Sequence, residues 1–181
     1  MTLSNVDREF LRPFFMVSSQ EEADAVSGKL IATIKERHPV FDAILKACES
    51  PIEINLALAF FQLAYDEPEL PVFFYSPDEP PVFKSGLHVQ PQFPVGRYRL
   101  DFLVVMAGKD INPPLLFAVE CDGHEFHERT PQQAARDKQR DRTLTKHGLR
   151  VMRFTGSEIN RDPDHCVREL LDATIKIRGA S

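Results

Sequence analysis

The stretch Phe117–His127, FAVECDGHEFH, begins as an apolar run and ends in three acids, a glycine and two histidines. Alternation with period two puts Leu116, Ala118, Glu120 and Asp122 on one face of a strand. An earlier stretch, Arg97–Met106 (RYRLDFLVVM), carries Asp101 between residues that read as buried. If the two strands form a hairpin with a symmetric connection over 107–114, Met106 faces Leu115 and Asp101 faces Glu120. Directly opposed residues have Cβ atoms roughly 4.5–5.5 Å apart. Asp101, Glu120 and Asp122 are therefore expected to converge, unless a bulge intervenes. Clustered carboxylates raise one another's pKa, and a cation removes the conflict. Mg²⁺ or Mn²⁺ suits such oxygen ligands, together with water and substrate phosphate. The competing reading is that Asp101 and Asp122 merely end their strands in solvent, with Asp122 serving a turn beside Gly123.

Three further groups bear on that chemistry. Glu53 stands three residues after Ser50 in SPIE, the pattern of a helix capping box. Either it only caps the helix, or the helix start presents it as a fourth acid. His124 and His127 are candidates for proton relay or phosphate contact, since histidine titrates near neutral pH; a plain loop role is the alternative for each. With Cys121 they spell CxxHxxH. A zinc set is disfavoured, because Cys121 points to the opposite strand face from Glu120 and structural zinc wants four closed ligands. The helix that follows, TPQQAARDKQRDRTLTKHG, has few apolar residues. From Arg129 to Arg153 the chain holds eight Lys or Arg against two Asp, a net +6 in a protein whose total is −5. Such a segment is suited to phosphates, with Arg129, Arg136, Arg140 and Arg142 as candidate contacts. Six neutralised phosphates would give a log–log salt slope of roughly −5. A solvated, salt-bridged helix face is the bland account.

These residues need elements to hold them. Ala23, Val26, Leu30, Ile31 and Ile34 recur at helical spacing over 20–36. His38-Pro39 ends that helix, and a short one follows over 40–47. Ser50 and Pro51 open an apolar helix to about Tyr65. Residues 66–81, with five prolines and five acids, read as an irregular connection. LHVQPQFPVG reads as an edge-type strand because of Pro91. Strands at 97–106 and 115–122 follow, then a helix over 131–147 closed by Gly148, a strand over 149–155, and a helix opened by Asp162-Pro163. The expected class is α/β: an N-terminal helical extension over 1–49, and over 50–181 a mixed sheet with one hairpin and one crossover.

Composition sets bounds. A chain of 181 residues with 43% hydrophobic content suits one compact domain. No apolar run approaches a membrane span. Cys48, Cys121 and Cys166 form neither a disulfide framework nor a metal knuckle, and with no secretory leader visible a cytoplasmic location is expected. The N-terminal helices are a possible homodimer surface.

The order SPIE, YRLDF, VECDGHEFH, then RDKQRDRTLTKHGLRVMRFTGSEI resembles the PD-(D/E)XK nuclease superfamily. More narrowly it is similar to the branch of very-short-patch-repair endonucleases. The resemblance covers about 50–159. It implies a restriction-endonuclease-like core and Mg²⁺-dependent hydrolysis of a DNA phosphodiester, in repair or restriction. Asp101 and Glu120 would be metal ligands, joined by Asp122, with Glu53 as the helix acid. The place of the usual lysine, two after the glutamate, holds Asp122, and Lys138, His124 or His127 would fill the role. The alternative is a nuclease-fold module that has lost cutting and binds nucleic acid or a protein.

Overall fold

The computed structural model describes residue 28 and residues 31–123 and 131–179. The chain divides into two compact units, Met1–Asp42 and Ala43–Ser181. In the first, residues 31–37 are helical (α1), and the His38 N–H closes onto Ile34 O at 2.8 Å. Proline at position 39 stops the helix there. A second helix, α2, covers Phe41–Ala47.

In the larger unit α3 covers Pro51–Asp66. Ser50 has extended backbone and its Oγ accepts from Glu53 N at 3.3 Å, which satisfies one donor of the first turn. From Leu56 to Phe61 every residue of α3 is buried. An all-round apolar helix needs cover on more than one side. The sheet supplies one side, where Phe60 meets Phe102 and Phe61 stacks on Phe74. The last helix, α6 (Pro163–Gly179), supplies another, burying Cys166, Val167, Leu170 and Thr174.

The sheet has five strands in the order β1-β2-β3-β4-β5. They are β1 (Val72–Phe74), β2 (Gly86–Val95), β3 (Tyr98–Gly108), β4 (Ile111–Asp122) and β5 (Leu149–Thr155). Pairs β2–β3 and β3–β4 are antiparallel, while β1–β2 and β4–β5 are parallel. Helix α4 (Pro131–Lys146) makes the crossover from β4 to β5. It buries Leu144 in a cluster with Leu103, Val105, Ala118 and Leu149. Gly148, at φ +79°, ends α4 in the left-handed region that glycine adopts freely. A short helix, α5 (Gly156–Arg161), follows β5 behind a Thr155–Glu158 capping box.

Four local expectations are corrected. The connection over 66–81 contains β1, a parallel strand that the proline-rich setting hid. There are two hairpins where one was expected. Strand β2 is internal over Leu87–Val89, where it pairs with both β1 and β3, and it becomes an edge only beyond the end of β1. Pro91 lies in that second part, so its missing N–H breaks no bond to β1. The loop expected over 107–114 is a turn at Lys109–Asp110, with both strands running through most of that span. Between Met106 and Gly108 the register shifts, because β4 uses more residues than β3 to cover the same distance. That irregularity, which holds Pro113 and Pro114, returns the ladder to Met106↔Leu115.

Candidate functional site

The β3–β4 ladder runs from Met106↔Leu115 to Phe102↔Val119. Asp101 and Glu120 are the next residues of the two strands beyond the last pair of that ladder, at the end where β4 leaves the sheet toward α4. There the Asp101 side chain bonds across to β4: its Oδ2 accepts from Cys121 N at 2.6 Å. Glu120 is 2% exposed. Burial and then the Asp101 charge push its carboxyl up to about 7, against the opposing pull of Arg140 and Arg153. Burial also raises Asp101; the Cys121 N–H works against that rise, and Glu53 adds to it. The two acids thus share one electrostatic neighbourhood that favours a neutralising partner.

Two arginines supply part of that charge. Arg140, on the inner side of α4, places Nη2 2.7 Å from Glu120 Oε1 and 2.6 Å from Oε2. It also donates to Arg99 O at 2.7 Å, yet its buried Nε has no acceptor. Arg153 stands beside Glu120 in the parallel ladder. Its Nη1 lies 3.2 Å from Asp122 Oδ1 and its Nη2 2.7 Å from Asp141 Oδ1. Asp122 is therefore turned toward Arg153. Among the described residues no group of three His, Cys, Asp or Glu side chains is arranged to hold one ion.

Glu53 stands in the first turn of α3 with both carboxylate oxygens hydrogen-bonded. Its Oε1 accepts from the Ser50 hydroxyl at 2.7 Å, and not from the Ser50 backbone N–H as in a capping box. It is also 6% exposed. Its Oε2 accepts from Glu49 N at 2.9 Å and from Gln92 Nε2, on β2, at 2.8 Å. Its charge is felt at Asp101 and at Cys121. The helix start thus brings a third carboxylate beside the strand pair.

The remaining candidates are placed elsewhere. Lys138 is exposed and lies two residues from Arg140, about 200° around the helix and so away from Glu120. Arg136 and Arg142 are exposed on α4. Arg140, expected to meet a phosphate, is bound to Glu120. His124, His127 and Arg129 lie outside the described residues. Cys121 is a partly buried thiol whose pKa is raised, first by burial and then by Asp101 and Glu53. Sequence reasoning passed over Gln92 and Arg153. An arginine drawn into a sheet requires acids, and the second arginine of LRVMRFT, Arg153, was the available signal; Gln92 had none.

A mixed five-stranded sheet between helices, with buried acids where a crossover begins, defines a nuclease-fold domain of the restriction-endonuclease-like kind. The family model REase_MTES_1575 matches residues 81–174, about half of the chain. The chain belongs to that restriction-endonuclease-like family, consistent with the PD-(D/E)XK superfamily. No curated protein and no solved structure gave a match. The matched span contains Asp101, Glu120, Asp122, Arg140 and Arg153, whereas Glu53 precedes it.

Proposed function

We propose that this chain is a metal-dependent endonuclease that hydrolyses DNA phosphodiesters, in repair or restriction. The observation that carries the reading is the pair of half-buried Asp101 and buried Glu120 on neighbouring strands of a nuclease-family sheet, with the Asp101 charge helping to raise Glu120. The donor set fits Mg²⁺ or Mn²⁺. These ions use one or two carboxylates and fill their remaining positions with water and phosphate, so Asp101 and Glu120 suffice, and Asp122 joins only by leaving Arg153. When bound, the ion supplies water activation and charge screening at the scissile phosphate.

The chain's own groups do the rest. Asp101 is oriented by the Cys121 N–H, and Glu53 stands behind it. Arg140 and Arg153 are cations already at the acids, and a DNA phosphate is the anion to which their donors transfer as Glu120 and Asp122 are released. The exposed Arg136, Arg142 and Lys138 add a basic face for the backbone of the nucleic acid. With no lysine two residues after Glu120, the proton leaves through solvent or through His124 or His127.

The test is cleavage of plasmid and single-stranded DNA with Mg²⁺ or Mn²⁺ by the wild type, Asp101→Ala and Glu120→Ala. Loss of cutting in both variants supports the site, and equal cutting discards it. Two observations favour a second reading, that of a nuclease-fold binding module without catalysis: Arg140 is seated on Glu120, and Asp122 stands where the lysine is usual. That reading expects salt-sensitive DNA binding that is indifferent to metal.

A further inference from the structure

The β2–β3 ladder keeps one register from Gly86↔Ala107 to Val95↔Tyr98, yet it skips one rung, Gln92 opposite Asp101. Gln92 has φ +54°, and among the described residues it is the one non-glycine with positive φ. Glutamine is not among the residues that visit this region readily. The apolar cluster beneath α4 reports the same break. It contains Leu100 as well as Leu103 and Val105, and Val95 from β2, with Phe93 packed against it. Period-two alternation would put Leu100 on the opposite face from Leu103. The pleat therefore changes phase at Gln92 and Asp101. The break has two consequences at the acids. Asp101 leaves the β2 ladder and its carboxylate bonds to Cys121 N instead. Gln92 bonds across to α3, where its Nε2 meets Glu53 Oε2 at 2.8 Å. Of the three donors to Glu53, Gln92 alone comes from the sheet, while Glu49 N and Ser50 Oγ are local to the helix start.

We infer that Gln92 is a positioning residue of the nuclease site: its left-handed backbone opens the rung opposite Asp101, and its amide fixes Glu53 beside that acid. Strain at a non-glycine residue persists where the surroundings hold it, and such residues gather at functional sites. A residue serving only strand β2 would adopt extended backbone and fill the missing rung. The inference rests on the proposed nuclease activity, and its test separates the two.

Gln92→Gly keeps the left-handed backbone free of strain and removes the amide; Gln92→Ala removes the amide and keeps the strain. Both are expected to lower kcat about 100-fold, the size of a small misplacement of reacting groups, with the Kd for DNA in Ca²⁺ within about twofold of wild type. The Gly variant is expected to melt about 3 °C above the Ala variant, the reverse of the usual order within a strand. Mn²⁺ affinity, read from the paramagnetic signal of the free ion, is expected to fall about fivefold in both. Either variant cutting within threefold of wild type, or an Ala variant at least as stable as the Gly variant, overturns the assignment. If the wild type binds Mn²⁺ but cuts no DNA, the nuclease reading fails alone, and Mn²⁺ affinity and the melting order still decide the role of Gln92. A wild type that neither binds Mn²⁺ nor cuts overturns both.

Discussion

Strand β2 carries a second set of buried polar side chains, and it meets most of its polarity with neutral partners, Gln90 Oε1 being left without one. His88, 2% exposed, has Nε2 2.8 Å from Lys84 O and Nδ1 2.9 Å from the Tyr75 hydroxyl. Its ring stacks on Phe73 and Tyr75 and meets the edge of Phe83. Gln90 Nε2 donates to Ser76 O and Glu79 O, both at 2.8 Å. The partners are backbone carbonyls and neutral rings, and they fasten residues 75–84 to the sheet. At Asp101 and Glu120 the neighbours are other carboxylates, with two arginines that offset them only in part. Buried polar groups that satisfy one another rigidify a fold. Groups arranged so that their charges conflict cost stability, and they gather where a ligand relieves the conflict. The first cluster reads as structure and the second as a site.

The largest expected effect separates the clusters by activity. Asp101→Asn and Glu120→Gln, nearly isosteric, are expected to lower metal-dependent DNA cutting by about 10³-fold or more, whereas Gln90→Leu leaves kcat within about threefold and lowers Tm. A cutting defect of equal size in both clusters would erase the distinction. Next comes Arg140→Ala. Removing one member of a buried pair typically costs about 3–5 kcal/mol, so Tm at pH 8 should fall by roughly 10 °C. At pH 5.5 Glu120 takes up a proton and the loss should shrink. A loss equal at both pH values would assign Arg140 to packing along its stem.

Of this contrast the acids were legible in the sequence and the His88–Gln90 cluster was not, for physical reasons that differ by element. Strand β3 and the second half of β4 announce themselves because both faces are buried there, and β5 reads as a short apolar run between turn signals. The nearness of Asp101 to Glu120 was expected from a symmetric loop. The register of the last five rungs is the one that assumption predicts, although the turn lies at Lys109–Asp110 and a register shift in β4 makes up the difference. Strand β1 was hidden, since three residues among prolines carry no period. Arg140 was legible as a cation but not as the partner of Glu120, because composition shows charge and not which side of a helix it takes. Gln92 was invisible: a left-handed glutamine is a property of the backbone its neighbours impose.

The pH dependence of stability sharpens the comparison further, since the clusters titrate in opposite senses. Glu120 moves from an ordinary 4.5 up to about 7 in the folded protein. Its contribution is fully present below pH 4.5 and is lost as pH rises through 7, a span of about 3 kcal/mol. Chelator-treated wild type should therefore lose Tm between pH 5 and pH 8, and Glu120→Gln should lose less. A parallel decline in the variant would assign the effect to other groups.

The smallest expected effect belongs to His88. Burial lowers its pKa from the ordinary 6.5, and the bond to Lys84 O opposes that only in part. For a base held neutral by the fold, stability is present above pH 6.5 and is lost as pH falls through the folded value. His88→Phe removes the titrating group at a cost of about 1 kcal/mol in hydrogen bonds. It should therefore melt below wild type at pH 8 and close part of that gap at pH 5. The same scan on Glu120→Gln should show the opposite trend relative to wild type. Two variants whose stability differences from wild type drift in opposite directions with pH would show that one sheet holds a neutral plug and a charged site side by side. A gap for His88→Phe that stays constant from pH 8 to pH 5 would mean that the imidazole accepts its proton in the fold as readily as in the unfolded chain, and the contrast would then rest on the acids alone.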